Sequence, residues 1–369
     1  MSTLHHIQQD AIQLLKKMIA TPSFSKEEKE VADLIESFLK EHGVPTHRIL
    51  NNVYALNKYF DASKPSILLN SHHDTVKPAK GYTTDPFTPT EQDGKIIGLG
   101  SNDAGGPLVA LIATFIHFYL NDALHINLII AATAEEEISG KNGVEYLLQD
   151  PGFLQHLQGS KIVGALVGEP TNMQMAVAER GLLVLDGLAS GKAGHAAREE
   201  GINAIGIAMD DIHAINNHPF QKISDLTGKT TAKVTVIETD NKAHNVIPAQ
   251  CKFVIDVRVN ELYSFDDVLQ QLQSISSSNL TPRSFRLRST MIALDHPIVL
   301  AGKKLGLNHY GSPTTSDKAL MHFPALKIGP GDSARSHTAD EYIYIKEIEQ
   351  GIEIFIQIME ESSKSYHFS

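Results

Sequence analysis

Short apolar runs recur along this chain, each about as long as a buried strand, and several of them stop on a cluster of His, Asp or Glu. Ile67-Leu68-Leu69-Asn70 leads into Ser71-His72-His73-Asp74-Thr75, Ile129-Ile130-Ala131-Ala132 into Thr133-Ala134-Glu135-Glu136-Glu137, and the run ending at Val167 into Gly168-Glu169-Pro170. A run apolar on both faces has to be covered on both faces, which favours a largely parallel sheet with helices packed against it. Helical spacing fits that requirement. Ile7, Ala11, Leu14, Leu15, Met18 and Ile19 place a helix over 4–19, and Leu108 to Tyr119 is a long apolar helix. A further helix is expected from about Ser25 to His42, with Ser25 as its N-cap. Strands are expected at 66–71, 126–133 and 161–167. The implied architecture is α/β, a three-layer domain around a mostly parallel, mixed sheet.

Near Glu179 the pattern changes. Gly181 to Leu188, Thr231 to Ile237 and Cys251 to Arg258 read as strands, with helices at about 203–215 and 265–274. Such interleaving suits a smaller α+β domain of ferredoxin-like type. After Ser289 the first pattern resumes with a helix near 298–305, a strand at 325–328 and a last helix from 345 to about 361. The expected division is 1–178 with 290–369 for the larger domain and 179–289 for the inserted one.

Composition excludes some classes of function. The 369 residues carry 32 basic and 43 acidic side chains, a formal charge of -11. That balance argues against nucleic acid or an anionic membrane as partner. One cysteine, Cys251, rules out an internal disulfide framework and a thiolate zinc cluster, and its strand context makes it a small buried hydrophobe. The N-terminal residues lack a basic segment followed by an apolar one, and no run approaches a membrane span, so a cytoplasmic location is expected.

In an open α/β sheet, ligands bind beyond the carboxyl ends of the strands. His72 and Asp74 stand on one side of an extended chain, so Asp74 can hold the far nitrogen of a metal-binding His72. Asp103 follows Gly98-Leu99-Gly100 and precedes an apolar helix, positioned either to bridge two metals or to cap the helix. Three consecutive carboxylates, Glu135 to Glu137, need a compensating positive charge; one can ligate while its neighbour acts as general base. Glu169 ends a strand, and His337 sits in the loop Arg335-Ser336-His337-Thr338-Ala339-Asp340-Glu341. Singly, each is equally an ordinary polar turn. Together they offer two imidazoles and three or more carboxylates, a donor set for zinc, with cobalt or manganese also suited.

The order of these motifs over nearly the whole chain resembles the metallohydrolase family of acetylornithine deacetylase, succinyl-diaminopimelate desuccinylase, aminoacylase and carboxypeptidase G. The resemblance implies two divalent metal ions per subunit, zinc in the first place, with cobalt or manganese as alternatives. His72 and Glu169 would complete one site, Glu137 and His337 the other, and Asp103 would bridge them. Asp74 would orient His72, and Glu136 would be the general base. Gly191-Lys192-Ala193-Gly194-His195 resembles the family's lid motif, implying a homodimer in which His195 reaches the partner's site and stabilises the oxyanion. Asn245 and Arg258, in Asn245-Val246-Ile247-Pro248 and Asp256-Val257-Arg258, would hold the substrate, and Thr315 and Ser316 would face it. The departures are Gly105, where the family usually has Lys, and Glu135, where it usually has Asp. The activity implied is hydrolysis of an N-acyl amino acid, nearest to acetylornithine deacetylase with ornithine or citrulline as product in arginine synthesis. The alternatives are succinyl-diaminopimelate desuccinylase and a dipeptidase or aminopeptidase. A non-catalytic relative would be expected to have lost a ligand or the base, and none is missing.

Overall fold

In the computed structural model, residues 3–198, 200–239 and 241–366 are described; residues 1, 2 and 367–369, which the expected larger domain includes, lie outside them. The chain divides into two compact units. One comprises Met1–Val177, Ile292–Tyr310 and Ser316–Ser369, and the other Ala178–Met291 with Gly311–Thr315.

The first unit is built on a mixed sheet. Its centre is parallel: Asn127–Thr133, Ser66–His72, Ile162–Val167 and Ala325–Lys327 lie side by side in that order. Asn52–Leu56 and His47–Ile49 extend one edge antiparallel, and Lys327 pairs antiparallel with Ala176 on the other side. Ser66–His72 and Asn127–Thr133 are buried at every position, as expected of strands covered on both faces. The register His72↔Thr133 sets the His72 cluster beside the start of the acidic turn. Helix Gly106–Phe118, almost wholly buried, packs against the Thr3–Ile19 and Ile345–Lys364 helices. Burying its Leu, Ile, Val and Phe side chains contributes roughly 1.5–3 kcal/mol each.

One local expectation is corrected. The second helix begins at Lys29, not Ser25, and its N-cap position is Glu28, which makes no side-chain cap bond. Lys26 adopts a left-handed φ of 77° that breaks the turn, and the Ser25 hydroxyl instead donates to Asp74 Oδ2 at 2.6 Å. The capping signature was genuine chemistry directed at a distant partner.

The second unit follows the order strand–helix–strand–strand–helix–strand: Gly181–Ser190, Ala204–Asn216, Thr231–Glu238, Gln250–Val259, Phe265–Ser274 and Asn279–Pro282. Its antiparallel sheet runs 231–238, 250–259, 181–190, 279–282, the ferredoxin-like arrangement. Burial alternates strictly along 250–259, so one sheet face meets a core that includes Leu183, Leu185, Cys251, Phe253 and Leu272. No helix among the described residues is long and apolar enough to cross a membrane.

Candidate active site

The cluster forms where the parallel strands end. His72 is the last residue of its strand and is buried. Its Nδ1–H donates to the main-chain carbonyl of Asp74 at 2.9 Å, leaving Nε2 to face Asp103 Oδ1 at 3.3 Å and Glu136 Oε2 and Glu169 Oε1 at 3.9 Å each. His337 Nε2 lies 3.1 Å from Glu137 Oε2 and 3.6 Å from Asp103 Oδ2. Asp103 therefore stands between the imidazoles, one carboxylate oxygen toward each. All five proposed ligands and Glu136 converge.

Asp74 orients His72 through its backbone, with the carboxylate Oδ1 3.5 Å from the ring. That carboxylate has other partners: it accepts from the amides of Glu136 at 3.0 Å and Glu137 at 3.2 Å, and from Ser25. It thereby fixes the turn bearing Glu136 and Glu137. Within Glu135-Glu136-Glu137 the structure separates three roles that the sequence left together. Glu135, at φ 57°, turns back to Asn142, whose side-chain amide donates to it at 2.7 Å. Glu136 points at His72 and Glu169, and Glu137 at His337.

Electrostatics follow from that crowding. Burial pushes the Glu136 carboxyl well above the usual carboxylate range; His72 opposes this, and the nearby charges of Glu169, Asp317 and Glu137 reinforce it. For His72, burial pulls down, but the close Asp103 and Asp74 carboxylates and the charge of Glu136 outweigh it and leave the imidazole well above its ordinary value. The Glu137 hydrogen bond and the charges of Glu137 and Asp103 raise His337 to about 9 against partial burial. Four carboxylates facing two imidazoles form a site short of positive charge. His72 Nε2, buried and without a hydrogen-bond partner, is the atom a cation would complete. Two imidazoles with hard oxygen donors and no thiolate fit a divalent metal.

Two acids at the site lie within motifs singled out in the sequence, but their own roles are not legible there. Glu341 is buried and accepts from the Gly100 amide at 3.2 Å, Asn102 at 2.8 Å and Asp103 at 2.9 Å. Burial, with the neighbouring Asp103 charge, raises its carboxyl to about 7 against these three bonds. Asp317, also buried, accepts from Thr133 Oγ1 at 3.0 Å. Both occur in polar stretches whose burial no periodicity announces. At Gly105, a Cβ would meet the Gly100 carbonyl oxygen at 2.4 Å and Leu15 Cδ1 at 2.7 Å. The space a longer side chain would need is thus filled by backbone and core.

In the second unit, His195 and Asn245 are neighbours: His195 pairs with Val246, and the Ala196 amide donates to the Asn245 carbonyl at 3.0 Å. Both side chains are exposed. The Arg258 guanidinium is gripped by Asp256, two residues earlier on the same strand face, at 2.8 and 3.0 Å. Thr315 is half-buried and donates to the Arg180 carbonyl. Ser316 belongs to the first unit, where it is buried and caps the Asp317–Leu320 turn.

Comparison with known proteins accords with this site. The chain is 28% identical over 278 residues to a succinyl-diaminopimelate desuccinylase of Rickettsia bellii, covering 71% of this chain and 69% of the relative. The fold is shared with the aminopeptidase PepT of Bacillus cereus (TM-score 0.74, 18% identity, 96% of this chain and 98% of that one). It is shared equally with a dinuclear metal-binding peptidase of Bacillus subtilis (TM-score 0.74, 15% identity, 96% and 98%). The profile of Peptidase family M20/M25/M40 matches residues 68–361, and the chain belongs to that family as a metal-dependent hydrolase.

Proposed function

We propose that this chain hydrolyses the amide bond of an N-acyl amino acid. The observation that carries the reading is the convergence of His72, Asp103, Glu137, Glu169 and His337 with a half-buried carboxylate, Glu136, 3.9 Å from the unpartnered His72 Nε2. His72 and Glu169 would hold one divalent ion, Glu137 and His337 a second, and Asp103 would serve both. When bound, such ions lower the pKa of water and polarise a carbonyl. Glu136 takes the proton of the attacking water and returns it to the leaving amine. The raised proton affinity that burial gives Glu136 suits both transfers.

The acyl group is read as succinyl, on a diamino acid. The desuccinylase relative supports this over the N-acetylornithine or N-acetylcitrulline reading, which rests on motif resemblance alone. Arg258 is the proposed anchor for a substrate carboxylate, which would share or replace the hold of Asp256. His195, from a second copy of this chain in a homodimer, is proposed to stabilise the oxyanion.

A panel of N-succinyl-diaminopimelate, N-acetylornithine, N-acetylcitrulline and unblocked dipeptides, assayed with zinc, cobalt and manganese, tests the proposal. The highest kcat/KM is expected on the succinyl substrate. Turnover of unblocked dipeptides alone would overturn the deacylase reading.

A further inference from the structure

Asp103 and His337 both come from loops, and what holds those loops in register is visible. Residues 98–103 and 332–341 are stitched together at several points. The Gly98 amide donates to the Glu341 carbonyl at 2.9 Å. The Asn102 side chain donates to the Asp332 carbonyl at 3.0 Å and accepts from the Asp332 amide at 3.0 Å. The strongest tie is the Glu341 carboxylate. Oε1 accepts from both the Asn102 and Asp103 amides and Oε2 from Gly100, in a site closed to water. His337 stands only four residues before Glu341, at a left-handed φ of 60°.

We infer that Glu341 is a positioning residue that sets the separation of Asp103 from His337, and so controls occupancy of the metal position those two share with Glu137. The inference rests on the metal reading proposed above. His72 and Glu169, by contrast, sit at the end of the parallel sheet, and among the described residues Glu341 forms its bonds with the 98–103 loop rather than with either residue's strand. Its loss should therefore weaken the position built on both Asp103 and the His337 loop more than the His72–Glu169 position, which shares only Asp103. Groups that orient ligands in this way typically change metal affinity by about 10–100-fold.

The test is metal binding by the purified full chain, measured as zinc content after dialysis and as affinity in a cobalt titration followed by absorbance. Wild type, Glu341→Ala and Glu341→Gln are compared, together with apo-protein melting temperatures. Glu341→Gln keeps an acceptor for two of the three amides but turns an NH2 toward the third, so it guards against simple unfolding. Expected are two ions in wild type, with one weakened about 10–100-fold in Glu341→Ala and less in Glu341→Gln, and the other, which shares only Asp103, weakened much less in each variant. Two ions at unchanged affinity in folded Glu341→Ala would overturn the inference. So would parallel weakening of both ions, which a purely structural role predicts. Failure of wild type itself to bind two ions, with Asp103→Asn binding no worse, would overturn the underlying metal reading instead.

Discussion

His72 enters the cluster from the last residue of a seven-residue strand buried at every position, whereas His337 enters from an exposed loop with left-handed backbone. The first imidazole is locked by the Asp74 carbonyl and enclosed by Asp103, Glu136 and Glu169. The second has Glu137 and Asp103 on one side and solvent on the other, with 54% of its side chain exposed. Two identical side chains are thus brought to one cluster by opposite means. One half of the site inherits its geometry from the parallel core, and the other depends on stitched loops. Metal-binding geometry on a sheet end is preorganised before any ion arrives, while loop-borne geometry needs the ion, or a clamp such as Glu341, to complete it.

Removing the ions is expected to have the largest effect, because both halves then lose their shared function. Exhaustive chelation should abolish turnover, and added zinc or cobalt should restore it; activity that survives would sink the two-metal reading altogether. Next is Glu136→Ala. Glu136 is presented by the sheet-borne turn but ligates nothing in the proposed scheme, so metal content should hold while kcat falls about 10²–10⁴-fold. A variant that loses metal along with activity would move Glu136 from base to ligand.

A third comparison separates the halves by stability in the metal-free chain. His72→Asn removes a fully buried imidazole from among the half-buried Asp103 and Glu136 and the buried Glu169, and breaking a buried pair in this way costs about 3–5 kcal/mol. His337→Asn keeps a residue type tolerant of left-handed backbone and removes ion pairs whose imidazole side is exposed to solvent, so the loss in the urea midpoint should be clearly smaller, on the order of 1 kcal/mol. Equal losses from the two substitutions would erase the distinction between the halves.

The same distinction explains what could be read from the sequence. The sheet-borne half was legible because a run such as Ile67-Leu68-Leu69-Asn70 announces both a buried strand and the place where its polar end must emerge. The ferredoxin-like insert was legible for a similar reason, since the period-two burial of 250–259 is written in its residues. The loop-borne half left weaker marks. His337 stood out only as a histidine in a polar stretch, and nothing local to Glu341 or Asp317 indicates burial, because their partners lie far away in sequence. Ser25 shows the converse: its local signature pointed to a helix cap, and tertiary contact with Asp74 took the hydroxyl instead. Assigning Glu135, Glu136 and Glu137 their separate directions required the turn itself, fixed by the Asp74 carboxylate and Asn142.

The smallest expected effect tests whether the sheet-borne half is held by burial, as its rigidity implies. His73 follows His72, and its side chain projects to the opposite side of the extended chain. It is buried, donates Nε2–H to the Asn51 carbonyl at 2.9 Å, and has no hydrogen-bond partner at Nδ1. Burial pushes its pKa down to about 4, against the partial opposition of Asp74. An unfolded histidine titrates near 6.5. Between those values the unfolded chain takes up a proton that the native chain refuses, so His73 should contribute its full stability above pH 6.5 and lose it as pH falls toward 4. The expected slope approaches about 1.4 kcal/mol per pH unit in the middle of that window. His73→Gln can retain the donor to Asn51 but cannot titrate. Urea midpoints of wild type and variant from pH 7 to 4.5 should therefore converge or cross as pH falls, through a steeper decline in wild type. Parallel curves would mean that the native chain admits the proton at His73, and that burial alone does not hold this end of the sheet.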